Sequence, residues 1–327
     1  MKKKSLVCFV LVSIIVLCFC LSVVKEGWTQ QKYPSRPITI NVTFAPGGIS
    51  DMTARLWARF MEKYLPGSTV VVDHKPGGGG VIGYTYVANA RPDGYTLLNS
   101  GDFFSPILDG TATYKLDDLA VIAQVALNGC VLAVAADAPW KTFQEFMDYA
   151  KKNPGVKWGH QGVGTAVYFR TQNLNKQAGL KLIGVPLKGD AEIITDLLGK
   201  HVTIGSLSAG MAKAQADAGK LRILLSFDPA KGFGLDPSIP HFAALFPKMT
   251  DLEVAIYLVA PKNTPKDIMD TLQTTLEKVT KDPDFIAETL KLNQMVSFAP
   301  GKIVMEQRIP KKMELVREMM KEEGLIK

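Results

Sequence analysis

The chain has 327 residues, 47% of them hydrophobic and 21% charged, an ordinary globular composition with enough length for a large core divided between two lobes. Its formal net charge of +7 includes Lys2, Lys3 and Lys4, so the chain behind them carries about +4. That charge is spread rather than clustered, which excludes nucleic-acid binding and leaves a mild positive field suited to an anion.

The three lysines precede an apolar run from Leu6 to Val24, the pattern of an export signal, with Lys25 to Gln31 as a polar leader. The reading is a cleaved signal over residues 1–30, with a retained anchor as the alternative. Cys18 and Cys20 raise lipidation, but Leu17 and Phe19 are bulky where an acylation site wants small residues. Loss of the signal removes Cys8, Cys18 and Cys20 and leaves Cys130, which reads as a buried structural thiol unable to form an internal disulfide.

From Arg36 the pattern is strand, glycine-bearing loop, helix, repeated, which predicts an α/β fold with mostly parallel sheets flanked by helices. Ile38 to Phe44 is the first strand. A helix from Asp51 carries Met52, Leu56, Phe60 and Tyr64 on one stripe, with Arg55, Arg59 and Glu62 toward water. Thr69 to Asp73 and Tyr95 to Leu98 follow as strands, with a helix around Val81 to Val87 between them. After strands at Ala120 to Leu127 and Cys130 to Val134, Thr142 and Glu145 form a capping box for a helix ending at Lys152. Alternation continues: a short strand ending at Trp158, a helix from Phe169 to Ala178, a strand at Leu182 to Val185, a helix at Ile193 to Leu198. Val202 to Ser206 and Ile223 to Ser226 are strands around a helix at Met211 to Ala218.

Asp228 to Asp251 reads as an irregular connection. Ala255 to Ala260 returns as a strand, Thr264 and Pro265 supply the N-cap and first position of a helix, and Pro310 interrupts the start of a last helix that buries Ile309, Met313, Val316 and Met320. The chain thus leaves a first lobe near Asn128 and returns near Glu253, which predicts a lobe of residues 129–252 inserted into one of 31–128 and 253–327, with a hinge at the crossings.

Three glycine loops follow strands and open helices: Pro46 to Gly48, Pro76 to Gly80, and Gly162 to Gly164. Glycine admits close approach of a ligand to the main chain, and a helix start offers unpaired N–H groups with partial positive charge, so the three loops predict a shared anion site at the carboxyl ends of the strands. Gly78, Gly80 and Gly83 also satisfy a dinucleotide fingerprint, with Asp102 where a ribose acid would stand. That match comes from a glycine run behind Pro76 in an exported chain, with no catalytic acid or base beside it, so an oxidoreductase is kept only as an alternative. His74, His160, His201 and His241 lack metal spacing, and no nucleophile elbow is present. Neither metal, cofactor nor catalytic residue is expected. His74, His201 and His241 read as surface or structural, whereas His160 stands inside a candidate binding loop.

Tyr33 to Ile38, Phe44 to Gly48 with Asp51, Lys75 to Gly80 with Gly83, and Arg91 to Thr96 resemble the receptors of tripartite tricarboxylate transporters, the Bug or TctC family. Gly162 to Thr165, Val185 to Gly189, Thr195 to Gly199, Ala218 to Arg222 and Ala260 to Pro265 follow in that family's order, so the resemblance covers nearly all of the chain behind the leader. It implies a periplasmic-binding-protein-like, Venus-flytrap fold in a monomer that grips a small carboxylate through main-chain groups and delivers it to membrane permease subunits; a sensor using the same clamp is the alternative. By position, Ala45, Pro46, Gly47, Gly48 and Asp51 would grip from the first lobe, with Gly78 and Gly79 nearby. Gly162, Gly164, Thr165, Lys188 and Gly189 would grip from the second, and Ser100 and Phe103 would line the specificity wall. The sequence departs from the family at Ile49, His160, Gln161 and Asp190. An acid at Asp190 would repel a second carboxylate and pair with an ammonium, or else cap the helix before Ile193. The expected ligand is therefore a monocarboxylate or amino acid, with a dicarboxylate next and citrate disfavoured.

Overall fold

A computed structural model describes residues 33–247 and 252–326; the leader expected at residues 1–30, with its lysines and cysteines, lies outside the described residues. The elements run β1 (Ile38–Val42), α1 (Ile49–Tyr64), β2 (Val70–His74), α2 (Val81–Ala88), β3 (Thr96–Ser100), β4 (Leu119–Asn128), β5 (Cys130–Ala135), α3 (Phe143–Lys152) and β6 (Lys157–His160). They continue with α4 (Ala166–Gln177), β7 (Ile183–Pro186), α5 (Asp190–Leu198), β8 (Ile204–Ser208), α6 (Ala209–Asp217), β9 (Leu221–Ser226) and β10 (Val254–Pro261). The last are α7 (Lys266–Thr280), α8 (Pro283–Lys291), β11 (Gln294–Pro300) and α9 (Ile309–Glu322).

The strands form two sheets, in the orders β11-β4-β10-β3-β1-β2 and β7-β6-β8-β5-β9. Pairs of β1 with β2 and β3, and of β6 with β7 and β8, are parallel, as helical crossovers demand. The other strands pair antiparallel, so each sheet is mixed, parallel where the strand–loop–helix units lie and antiparallel where β4, β5 and β10 carry the chain between sheets. β4 passes into β5 through Gly129 alone, and a Cβ there would stand 2.8 Å from the Phe233 ring and 3.1 Å from Ala209. A polar chain spans this turning point: Thr53 with Gln294, Gln294 donating to Asn128 and Asn128 donating to Ser208 of the second sheet.

Local signals explain most helix starts. Thr142 Oγ1 accepts from the Glu145 N–H while the Glu145 carboxylate accepts from the Thr142 N–H, so α3 begins on the expected capping box. Asp282 accepts from two N–H groups of α8, with Pro283 behind it. At α7 the Thr264 hydroxyl donates to the Pro261 carbonyl instead of capping, and the helix starts after Pro265. The face of α1 also differs from expectation. Met52 is 41% exposed, whereas Trp57 and Phe60 are buried against Phe285 of α8, with ring centroids 4.6 and 5.3 Å apart. Leu56 and Phe60 of the expected stripe are thus buried, and the packing of α8 onto α1 widens that face to Trp57 while its first member, Met52, stays outside. On α9 the buried residues include Ile309, Lys312, Val316 and Met320. No described helix is long and apolar enough to cross a membrane.

Candidate functional site

The strand ends of both sheets meet across a cleft, and each loop there is held by identifiable contacts. Gly47 takes φ +83° between β1 and α1, and its N–H donates to Asp51 Oδ2 at 3.1 Å. The other Asp51 oxygen lies 3.0 Å from His74 Nε2 and 2.9 Å from Arg55 Nε. Burial pushes this carboxyl up, but the Gly47 N–H, Arg55 and His74 outweigh it and hold it below the usual range. Asp51 therefore shapes the loop and does not line the cavity. α1 starts at Gly48 without a side-chain cap, which leaves first-turn N–H groups of a 16-residue helix facing the cleft.

The glycine loops of the two sides nearly touch. A Cβ on Gly162 would lie 3.2 Å from Gly79 Cα and one on Gly79 3.4 Å from the Val163 carbonyl oxygen, so side chains there would press the two loops apart by a few tenths of an ångström. The third glycine of the dinucleotide fingerprint has a packing reason, because a Cβ on Gly83 would meet Thr43 Cγ2 at 2.7 Å.

Two carboxylates cross or border this interface. Asp102, just past β3, accepts the Ala166 N–H at the start of α4 through Oδ2 at 2.6 Å. Burial raises its carboxyl pKa; Lys312, that N–H and Arg170 act in the opposite sense. Asp190, the first residue of α5, accepts from Gln161 Nε2 at 2.6 Å and from the Ser208 N–H at 3.0 Å, both through Oδ1. Burial raises its pKa too, against Ser208, Gln161 and the backbone of Ile49 across the cleft. The N-cap of α5 is Gly189, with no side-chain cap, so Asp190 does not cap the helix as the sequence offered; its carboxylate ties Gln161 and β8 together.

Between these groups lies a cavity of about 60 Å³, walled by Phe44, Ile49, Ser50, Asn99, Ser100 and Asp102 from one side and Gln161, Gly164, Thr165 and Ser208 from the other. The volume holds a few waters or a short acid. Among the described residues, no Lys, Arg or His lines it. Of the residues expected at the site, Gly79, Ser100, Gly164 and Thr165 line this cavity. Gly78, Gly162 and the exposed Lys188 line a wider groove outside it, which shares Phe44, Gly79, Gln161 and Val163 with the inner wall. Ala45, Pro46, Gly47 and Gly48 form the loop behind the wall, and the Ala45 N–H points to the Lys188 carbonyl at 3.5 Å. Gly189 abuts Phe44, with 3.8 Å between a built Cβ and the Phe44 Cβ.

Two expected wall residues lie elsewhere. Phe103 is fully buried, edge-on to Phe104 and Tyr257, and its carbonyl accepts from the Tyr114 hydroxyl. Its place at the wall was implied by the family resemblance alone, whereas here the turn after β3 carries it into the core. His160 is 1% exposed, packed against Trp158 and Tyr168, and its Nδ1 accepts the Gly162 N–H. Burial pulls its pKa down to about 4, so it is a neutral core residue that supports the loop. Asn99, Asp102, Ser50 and Ser208 are among the wall residues that sequence reasoning missed. Asp102 carried a signal, but as the acid of a false fingerprint. Cys130 is fully buried, its N–H donates to Asp228 and burial raises its thiol pKa, as expected of a structural cysteine. No group of three His, Cys, Asp or Glu gathers as a metal site among the described residues.

Residues 53–325 match the family model described as "Tripartite tricarboxylate transporter family receptor". A UPF0065 protein encoded in the gbd 5' region of Cupriavidus necator is 30% identical over 301 residues, 88% of this chain and 90% of that one. The structure of periplasmic binding protein BugD superposes with a TM-score of 0.82 at 29% identity, covering 90% of this chain and 99% of that one. A Rhodopseudomonas palustris protein solved with malate, MatC, shares the fold at 23% identity, with a TM-score of 0.79 and coverage of 88% and 99%. The chain accordingly belongs to the tripartite tricarboxylate transporter receptors, a family of two-lobed solute-binding proteins rather than enzymes.

Proposed function

We propose that this receptor works outside the cytoplasm, capturing a small carboxylate between lobes of residues 31–128 with 253–327 and 129–252 and passing it, as a monomer, to membrane permease subunits of a tripartite transporter. One observation carries the reading: the enclosed cavity between the strand ends is closed at one side by Ile49 and Ser50, the uncapped first turn of α1. The Ile49 backbone is already turned to Asp190 across the cleft, so the Ser50 N–H and the dipole behind it are what attract an anion without a lysine or arginine, and a wall free of bulky cations suits a short acid. Asn128 and Gln294, which line the cavity and bond across the turning point, make the crossings the natural hinge.

A thermal-shift screen tests this. A short carboxylate at about 100 times its dissociation constant should stabilise the protein by roughly 2.7 kcal/mol. Absence of a shift across mono-, di- and tricarboxylates and amino acids would sink the reading.

A further inference from the structure

The polar wall of the cavity is unbalanced. Asn99 is 3% exposed, and its Nδ2 donates to the Ser50 carbonyl at 3.1 Å, which fixes the amide orientation and turns Oδ1 away from that bond. Oδ1 is buried and has no hydrogen-bond partner. Asp102 Oδ1 is likewise buried and unpartnered, while its other oxygen holds the Ala166 N–H. Ser100 Oγ, between them in sequence, lies beside the Tyr84 hydroxyl and is 5% exposed as a residue. All three residues line the cavity. Buried polar atoms in a folded protein are nearly always paired, and a buried acceptor without a donor is destabilising.

Among the described residues, nothing supplies the missing donors. Lys312 and Arg170, the cations that act on Asp102, are engaged elsewhere: Lys312 Nζ donates to the Glu253 carbonyl, and Arg170 forms a two-pronged pair with Asp228. Neither lines the cavity. An ammonium group offers three N–H donors and a positive charge, which answers two lone acceptor oxygens, one of them a carboxylate, and a hydroxyl.

We propose that the ligand is an amino acid whose protonated nitrogen is held by Asn99 Oδ1, Ser100 Oγ and Asp102 Oδ1 while its carboxylate sits at the first turn of α1. This rests on the carboxylate-receptor reading and names the class within it. The Asn99–Ser50 bond ties the two half-sites together, so carboxylate and nitrogen belong close to one another, as in an α- or β-amino acid. Asp190 does not present the same signal, because Gln161, the Ser208 N–H and the Ile49 backbone act on its carboxyl and neither of its oxygens is left buried and unpartnered.

Isothermal titration with matched pairs, alanine against propionate and glutamate against glutarate, tests the inference. The nitrogen-bearing member should bind on the order of 100-fold more tightly, because a site built around a donor rejects the analogue lacking it. Asp102→Asn keeps an oxygen for the Ala166 N–H and should erase most of that advantage while leaving affinity for the deaminated acid within about threefold. Equal affinities within each pair, or an equal loss for both members in Asp102→Asn, would overturn the inference and leave the receptor reading standing. Binding of no acid at all would remove both. Binding of propylamine without propionate would keep the nitrogen subsite and remove the carboxylate reading.

Discussion

Three carboxylates, Asp102, Asp190 and Asp228, stand around one cleft and its supporting layer, and they differ in what satisfies them. Asp228 is fully paired, gripping Arg170 with both oxygens and the Cys130 N–H besides. Asp190 is held by uncharged donors, Gln161, the Ser208 N–H and the Ile49 backbone. Asp102 uses one oxygen on Ala166 and leaves the other bare. Burial is common to all three, so burial alone does not mark a ligand contact. An unpaired oxygen is no marker by itself either, since Asn41, Gln124 and Thr289 carry such atoms away from the cleft; what sets Asp102 apart is an unpaired oxygen on a residue of the cavity wall.

The comparison breaks most violently at Asp228. Arg170 is 2% exposed, and Arg170→Met strands a buried charge, which should destabilise by about 3 to 5 kcal/mol in urea unfolding. A loss under about 1 kcal/mol would mean that the pair is not desolvated in solution.

The neighbouring His160 gives the next effect. Its folded pKa of about 4 lies below the usual 6.5, so between those values the unfolded chain takes up a proton that the native ring refuses. Stability contributed by the neutral ring is complete above about pH 6.5 and falls as pH drops toward 4, by about 3 kcal/mol from this group. The buried Asp102 and Asp190 carboxyls, raised in the fold, act in the opposite direction on acidification. The His160→Gln variant isolates the histidine: its stability relative to the parent should improve as pH falls from 6.5 to 4. A pH-independent difference would show that the ring titrates normally.

Much of this arrangement was legible from residue patterns, and the failures have physical causes. Thr142 and Glu145 located α3 to the residue because a capping box is wholly local. The glycine loops were legible because backbone at positive φ, +62° at Gly79 and +118° at Gly162, favours glycine and so leaves its mark on the sequence. By contrast, α8 and β11 went unread, since each is short and their buried residues are defined by distant partners: Phe285 by the rings of Trp57 and Phe60, Gln294 by hydrogen bonds to Thr53 and Asn128. Asp102 was visible only as part of a spurious fingerprint. Whether a carboxylate is satisfied depends on an N–H 64 residues away, and no local pattern encodes that.

Asp190 should behave as a structural joint. Asp190→Ala leaves the Ser208 N–H and the Gln161 amide without their acceptor and should cost about 2 kcal/mol. Asp190→Asn, which keeps an acceptor oxygen, should leave the ratio of affinities for alanine and propionate unchanged. A selective loss of the amino acid in Asp190→Asn would move the nitrogen subsite to the other side of the cleft.

Asp102 should give the smallest stability change of the set and the largest change in ligand preference. Asp102→Asn retains an oxygen for Ala166, removes a charge that burial disfavours and leaves Lys312 bonded to the Glu253 carbonyl, so unfolding should shift by less than about 1 kcal/mol in the absence of ligand. A residue kept for folding shows the reverse pattern, losing stability without altering preference. A loss of about 2 kcal/mol or more in ligand-free Asp102→Asn would therefore make Asp102 a second joint like Asp190, closing the lobes through α4, and would strip the cavity wall of its one recognised charge.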